Sequence, residues 1–272
     1  MKSRGSVLTS VIMIPLAALV AVPFYYILVN TLKTQEETTK APFALPTHLY
    51  LDNYFNVFQN TNIPQTFLNT LIVTAVSVVL MLAIGALAAF GRILGKGRLS
   101  AAIGVVLLIA FLIPSQSTLI PLYRMLVNLQ LVDTLNGLIV LYCTGSIFCY
   151  FLIVGYMRSV PTEILEAARI DGAGPLRIFW TIVLPLIRPI LVTVGVFQTM
   201  WVWNDFLYPN VFISSTEKQT LVLQVYTAVR QFTTDWPAFM TLTVVVLIPM
   251  VIFFIVMQRH IVSGLTAGSI KG

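Results

Sequence analysis

The sequence predicts an all-α membrane protein with six transmembrane helices, and its composition is the first reason. Hydrophobic residues make up 58% of the 272 residues, charged residues make up 10%, and the mean hydropathy is +0.91. Soluble domains carry about 45–50% apolar and about 25% charged residues, so this chain has too few polar side chains to cover a globule in water. Disordered chains are poor in apolar residues, which excludes that class as well.

The second reason is a series of uncharged runs along the chain. A helix needs about 20 apolar residues to cross a hydrocarbon core of about 30 Å. The runs do not alternate apolar with polar residues, as strands of a membrane β-barrel do. The first run is longer than the apolar core of a signal peptide, so we predict a permanent span there. The fifth reaches spanning length only by including Asp205. The predicted spans are 7–30, 67–90, 101–123, 136–157, 189–208 and 238–258.

The positive charges fall mainly on one side of these spans. With the N-terminus inside, the inner segments carry 11 basic and three acidic residues, whereas the outer segments carry five basic and seven acidic residues. An excess of Lys and Arg marks cytoplasmic segments, so both termini are predicted to lie in the cytoplasm. The net charge of +6 comes from the same Lys and Arg residues of the inner segments, and it does not indicate that the chain binds nucleic acid. The whole chain, 1–272, is predicted to form one multi-pass domain of the cell membrane.

The spans lack the residues that power or catalyse reactions inside a membrane. No ionisable side chain lies in the middle of a span, which argues against a proton relay. His48 and His260 fall on opposite faces of the predicted topology and cannot share a metal ion, and no catalytic or phosphate-binding motif is present. We therefore expect no enzymatic activity, metal or cofactor in this chain. If it moves a solute, the energy should come from a partner.

Polar and aromatic side chains do occur near the ends of two spans. In the third span, polar residues follow Pro114, which can kink or interrupt a helix. The fifth contains Gln198, Trp201, Trp203, Asn204 and Asp205. Two interpretations stay open at this point. These residues form interhelical hydrogen bonds and an interfacial aromatic belt, or they line a solute pathway and offer aromatic faces to a sugar or polyol.

The predicted cytoplasmic loop 158–188 is too patterned to be a simple connector. Pro161 suits the first position of a helix, and Glu163 then complements the helix dipole. Gly172 suits the left-handed position that follows a helix end. The pattern predicts a helix over 161–171 and a second helix from Pro175 to about Val183. Helices that rest on lipid headgroups are usually rich in basic residues. The first helix is acidic instead, which favours a protein partner.

This loop resembles the EAA motif of binding-protein-dependent ABC importer permeases, and it matches the motif without a gap. The chain also resembles carbohydrate permeases of the MalG type at Pro42, Pro46, 53–54, 67–70, 203–206 and the C-terminal residues 258–272, so the resemblance covers essentially the whole chain. One departure is His260, where Tyr or Phe is common. The residues that match the EAA motif and that the resemblance assigns to ATPase coupling are Glu166, Ala167, Ala168, Gly172, Ile182, Leu184 and Pro185.

The resemblance implies the type I ABC importer permease fold and a set of partners. A second homologous permease would complete the pathway, and two cytoplasmic ATPase subunits would bind ATP and Mg and receive the coupling loop. An extracytoplasmic sugar-binding protein would deliver the solute. The tail residues implied at the ATPase interface are Gln258, Arg259, Lys271 and Gly272.

Three alternatives to a carbohydrate importer permease stay open from the sequence. The first is a permease of the same type for glycerol phosphate or another polar solute. A phosphate would favour cations near the pathway, and the spans contain none in their middle. The others are a proton-coupled secondary transporter and a membrane scaffold without a pathway.

Overall fold

The computed structural model describes residues 4–95, 97–158, 160–231 and 235–267, and every regular element among these residues is helical. Short 3₁₀ turns occur at Ser115–Thr118, Cys143–Gly145 and Thr216–Lys218, and a π-helical turn at Phe179–Val183. The α-helices are α1 (Arg4–Asn30), α2 (Gln35–Lys40), α3 (Asp52–Asn60), α4 (Ile63–Leu94), α5 (Arg98–Leu112), α6 (Leu119–Asn128), α7 (Leu135–Tyr142), α8 (Ser146–Met157), α9 (Thr162–Ile170), α10 (Pro175–Ile178), α11 (Leu184–Leu186), α12 (Arg188–Trp203), α13 (Leu207–Phe212), α14 (Leu221–Gln231) and α15 (Trp236–Ala267).

Four described segments are long and apolar enough to cross a membrane by length and composition. They are Thr9–Asn30, Ile63–Leu94, Leu135–Met157 and Trp236–Arg259. Two bent pairs bring the number to six if each pair counts as one crossing, namely Arg98–Leu112 with Ser115–Asn128 and Pro175–Leu186 with Arg188–Trp203. The protein is therefore an all-helical integral membrane protein.

The third predicted span, 101–123, is interrupted at Pro114, as a proline there allows. α5 ends at Leu112, and the chain turns by 92° before α6. The cause is Pro114, because a proline disfavours helical backbone at the preceding residue. Ile113 accordingly has an extended conformation, with φ −74° and ψ 120°. Hydropathy counts apolar residues and does not register this change of direction.

The fifth predicted span, 189–208, also differs from the structure. Its helix ends at Trp203, Asn204 forms the C-cap, and α13 starts anew at Leu207. At the other end, a 74° bend separates α11 from α12. Pro189 lies in the first turn of α12, where its missing N–H costs no helical hydrogen bond.

The chain divides into two compact units. In the first unit, 1–64 with 223–251, the segment after α1 is held by buried polar side chains. The Asn53 amide donates to the carbonyls of Thr31 at 2.9 Å and Lys33 at 2.8 Å. The Lys33 ammonium, whose pKa is lowered by burial, donates to Ala41 O at 2.8 Å. This predicted outer segment is therefore an ordered structure.

The second unit, 65–222 with 252–272, contains a close contact between α4 and α8. A Cβ atom added at Gly85 would lie 2.5 Å from Cβ of Cys149, so these helices approach through small residues. Cys149 is buried in this contact, and both Cys143 and Cys149 are free thiols. Cys149 thus acts as a small packing residue.

Two anchors hold the segment between α13 and α14 within the second unit. The buried Asn69 amide donates to the carbonyls of Glu217 at 2.8 Å and Gln219 at 2.9 Å. Asp133 accepts hydrogen bonds from the backbone amides of Ser214 at 3.0 Å and Ser215 at 2.9 Å, and from the Ser215 hydroxyl. These bonds, the Ser215 hydroxyl foremost, hold the pKa of the Asp133 carboxyl well below its usual range.

Candidate functional site

The short helix α9 is attached to the second unit by its apolar side. Leu165 is 6% exposed and Ala168 is also buried. Leu165 borders a small void of about 20 Å³ together with residues from α4, α8 and the second loop helix. The other residues around this void are Ile93, Met157, Val160, Val183, Leu186 and Ile187. Leu165 therefore packs into an apolar seat formed by three other segments of the chain.

The ends of α9 follow the signals in the sequence. The helix begins at Thr162, one residue later than predicted, because Pro161 has extended backbone with ψ 127° and precedes the helix. Gly172 has φ +77°, the left-handed conformation that the sequence predicts after the helix end. Pro175 opens α10, as predicted. Two turns therefore fix the direction in which α9 leaves and re-enters the unit.

The second loop helix contains a π-helical turn, Phe179–Val183, immediately before Pro185. Proline has no N–H, so a regular α-helical bond to the carbonyl of Thr181 cannot form. The N–H of Leu184 instead donates to the carbonyl of Phe179, which widens the turn. This helix places Ile182 and Leu184 in half-buried positions and Pro185 at the surface.

The opposite side of α9 combines acidic and apolar side chains at the surface. Glu163, Glu166 and Ala167 are exposed, and Ile170 is 86% exposed. Beyond Gly172, the side chains of Leu176 and Trp180 are exposed as well. We call the exposed surface of α9 formed by Glu163, Glu166, Ala167 and Ile170 the acidic-apolar face. Such a surface fits a protein partner that offers cations around an apolar cleft.

A cavity of about 810 Å³ lies in the second unit beside the bend between α5 and α6. Its wall combines apolar and aromatic side chains with neutral polar groups, as is typical of ligand sites. None of the described residues that line it carries a charge. The polar and aromatic lining residues include Phe111, Ser115, Gln116, Thr118, Thr144, Phe148, Phe197, Gln198, Trp201 and Tyr208.

Three separate segments contribute polar side chains to this wall. They are Ser115 in the bend, Thr144 between α7 and α8, and Tyr208 in α13. Tyr142 supports the aromatic wall, since its ring centroid lies 5.5 Å from those of both Trp201 and Tyr208. Trp201 packs edge-to-face on Tyr142 and is 41% exposed.

Gln198 is buried and uses its amide within the protein. It donates to the carbonyl of Gly145 at 2.9 Å and contacts the Cys149 sulfur at 3.4 Å. A Cβ atom at Gly145 would lie 2.4 Å from Met81, 3.0 Å from Trp201 and 3.1 Å from Gln198. The absence of a side chain at Gly145 is thus what allows α12 to come this close.

Of the five predicted pathway residues, the structure brings Gln198 and Trp201 together in the cavity wall. Trp203 is buried and packs on Phe67, with 5.9 Å between ring centroids. Asn204 is exposed and donates to Met200 O within its own turn. Asp205 accepts from the Tyr142 hydroxyl at 2.7 Å and from the amide of Leu207 at 3.0 Å, so it caps α13.

The predicted tail residues are only partly described. Gln258 and Arg259 lie near the end of the described part of α15 with exposed side chains, whereas Lys271 and Gly272 lie outside the described residues. No group of three or more His, Cys, Asp or Glu that could hold a metal occurs among the described residues.

Sequence reasoning missed several residues of both sites. The wall residues Thr144 and Tyr208 come from different helices, and no spacing along the chain connects them. Ile164, Leu165 and Ala168 recur at helical spacing and form an apolar stripe, but the stripe does not show which surface it meets. Pro114 was the available signal for the bend.

These features describe a helical membrane protein with an exposed loop helix and an uncharged cavity, and comparison with known proteins places it in a family. Residues 81–267 match the profile of the binding-protein-dependent transport system inner membrane component, and the chain belongs to this family, the permease components of ABC importers.

The chain is similar to individual members over nearly its whole length. It is 36% identical to the probable starch degradation products transport system permease protein AmyC of Thermoanaerobacterium thermosulfurigenes, over 92% of this chain and 91% of that protein. It is 31% identical to the melibiose/raffinose/stachyose import permease protein MelC of Bacillus subtilis, over 94% and 95% of the two chains.

The fold is also found in solved structures. One chain of a bacterial ABC transporter involved in the import of the acidic polysaccharide alginate superimposes with a TM-score of 0.81. The two chains are 22% identical, and the match covers 95% of this chain and 98% of the other. The likeness shows a shared fold.

Proposed function

We propose that this chain is the permease subunit of an ATP-driven ABC importer for a carbohydrate, an oligosaccharide or a related sugar. The names of relatives that carry starch degradation products and raffinose-type sugars support this substrate class. The uncharged cavity wall favours a neutral sugar over glycerol phosphate, because a buried phosphate needs cationic partners. A second homologous permease completes the pathway, and an extracytoplasmic sugar-binding protein delivers the solute.

The observation that carries the proposal is the attachment of α9. Leu165 and Ala168 fix the helix to the chain, while Glu166 and Ala167 stay exposed on the acidic-apolar face. A rigid element seated against the inner ends of α4 and α8 passes a push from outside to those helices. We assign the contact with two cytoplasmic ATPase subunits to this face. The left-handed turn at Gly172 fixes its orientation.

The remaining coupling residues support this contact. Ile182, Leu184 and Pro185 shape the second loop helix that closes the seat. We also assign contact with the same subunits to the tail residues Gln258, Arg259, Lys271 and Gly272. ATP and Mg are held by the ATPase subunits, and this chain itself binds no cofactor and catalyses no reaction. This arrangement requires six crossings of the cell membrane with both termini in the cytoplasm, as the distribution of basic residues favours.

Of the residues assigned to the solute pathway, Gln198 and Trp201 form part of its wall. Trp203, Asn204 and Asp205 position that wall through packing and capping. Proton coupling has no support in the spans, so the driving force in this proposal is ATP alone.

The test is uptake by the reconstituted complex in proteoliposomes. The chain is combined with its partner permease, the ATPase subunits and the binding protein, and uptake of maltose, melibiose, raffinose and glycerol phosphate is measured. We expect uptake of a neutral sugar that requires ATP inside and the binding protein outside, and that a protonophore leaves unchanged. Exclusive uptake of glycerol phosphate refutes the carbohydrate class. Collapse with a protonophore at constant ATP refutes the ABC mechanism.

A variant of the turn tests the coupling segment in the same complex. Gly172→Pro cannot adopt φ +77°, so the ATPase should no longer co-purify although the chain still inserts into the membrane. Gly174→Ala is the matched control, since Gly174 has φ −69° and nothing lies within 4 Å of an added Cβ. Normal co-purification with Gly172→Pro would exclude the proposed coupling.

A further inference from the structure

We infer that the cavity beside the α5–α6 bend is a binding site for one uncharged sugar unit, so that this chain itself contacts the solute during transport. The inference rests on the proposed function and adds to it a site, a substrate class and a set of contacts.

The position of the bend indicates that the cavity is filled with water. α5 has 15 residues, which makes it about 22 Å long at 1.5 Å per residue. With Arg98 at one face of the membrane, the break at 113–118 falls within a hydrocarbon core of about 30 Å. Non-helical backbone at this depth is stable only when it is buried in protein or lines a water-filled cavity. Pro114, Ser115 and Gln116 line the cavity, and we infer that it is filled with water.

The polar groups of the cavity wall suit the hydroxyl groups of a sugar. Ser115, Gln116, Thr118 and Thr144 supply neutral hydroxyl and amide groups at the wall. Thr118 and Thr144 donate to the backbone carbonyls of Ser115 and Leu141, each at 2.8 Å, so these two hydroxyl oxygens are fixed before a ligand arrives. A hydroxyl oxygen that donates in this way still accepts a hydrogen bond, which a sugar hydroxyl can supply.

The Trp201 ring forms an aromatic platform for the sugar ring. Trp201 is held edge-to-face by Tyr142 and keeps 41% of its surface exposed. A tryptophan ring offers a large apolar face that suits the C–H face of a pyranose. An added Cβ at Gly145 would lie 3.0 Å from this ring, so the ring packs closely against the turn between α7 and α8.

The described part of the cavity wall carries no charged side chain. Apart from Tyr208, none of the described lining residues is ionisable. A carboxylate or phosphate transferred into this cavity would lose water without gaining a counter-charge, which is costly. The site therefore selects neutral sugars against uronic acids and sugar phosphates.

Cysteine protection tests the site directly. Ser115→Cys and, as control, Ser117→Cys are made in the reconstituted complex. Ser117 belongs to the same turn and is absent from the cavity wall. Modification by a membrane-impermeant methanethiosulfonate is measured with and without the neutral sugar that the complex transports. We expect that sugar to slow modification at position 115 at least fivefold and at position 117 less than twofold, and digalacturonate to have no effect at either.

A second measurement keeps the inference testable if the cysteine disturbs the site. Trp201→Ala and Gln116→Ala should lower the maximal uptake rate at least fivefold, with ATPase stimulation by the binding protein within twofold of the parent. Unchanged uptake in both variants, or equal protection by digalacturonate, would overturn the inference while the proposed function stands. A complex that transports no sugar would overturn the proposed function itself.

Discussion

Replacing Leu165 by alanine should release α9 from its seat. Leu165 is 6% exposed and is the largest buried side chain of the helix. Leu→Ala changes in packed cores cost about 2–5 kcal/mol. The seat lies at the edge of the unit and already contains a void of about 20 Å³, so we expect the lower end, about 2–3 kcal/mol. This energy corresponds to about a 30- to 150-fold increase in the detached population.

Hydrogen exchange of the amides of α9 measures that population in a lipid nanodisc, because local opening controls their protection. Ile164→Ala is the matched control, since Ile164 lies on the same helix and is 39% exposed. We expect it to change protection less than fivefold. Equal protection in the two variants would refute the argument that Leu165 holds the coupling helix.

Three further predictions follow from single residues. Gly172→Ala should destabilise the fold by about 1–2 kcal/mol, because alanine is strained in the left-handed conformation, and should lower the midpoint of thermal unfolding. Gly174→Ala is the control and should leave the midpoint unchanged. Equal midpoints for the two variants would contradict the left-handed conformation at Gly172. Asp205→Ala removes the acceptor of a buried tyrosine hydroxyl, which should cost about 1–3 kcal/mol in the same assay, and Asn204→Ala serves as its neighbour control with an exposed amide. The low pKa of Asp133 means that its carboxylate stabilises the fold above the unfolded pKa of about 3.9 and that this contribution is lost as the pH falls further. Protease resistance of segment 213–220 should therefore stay level from pH 8 to 5 and fall below about pH 4, and an Asp133→Asn variant that shows the same acid loss would exclude this carboxyl as its source.

The coupling segment could be predicted from the sequence because its signals are local. Pro161, Gly172 and Pro175 each constrain their own backbone, and a single residue type decides the outcome at each position. The helix α9 and its left-handed turn are therefore found within one residue of the prediction. What could not be predicted is the seat, since Ile93 and Met157 come from distant helices and only tertiary packing brings them to Leu165.

The cavity, unlike the coupling segment, could not be predicted from local signals in the sequence. Pro114 was visible as a kink, but the 92° turn depends on how α6 packs, and hydropathy reports only apolar content. Asp205 looked like a pathway residue because it is polar at the end of a span. In the structure it caps α13, since a carboxylate two residues before a helical amide is also the signature of a cap. Sequence alone does not choose between these roles.

Photo-crosslinking in the assembled complex tests the coupling of this chain to an ATPase most directly. A photoreactive amino acid is placed at Ile170, on the acidic-apolar face, or at Leu45 as a control that is 72% exposed in the predicted outer segment. If α9 couples this chain to the ATPase, position 170 should crosslink to the ATPase subunit and position 45 should not. A crosslink from position 170 to lipid alone, or from position 45 to the ATPase, would contradict this coupling.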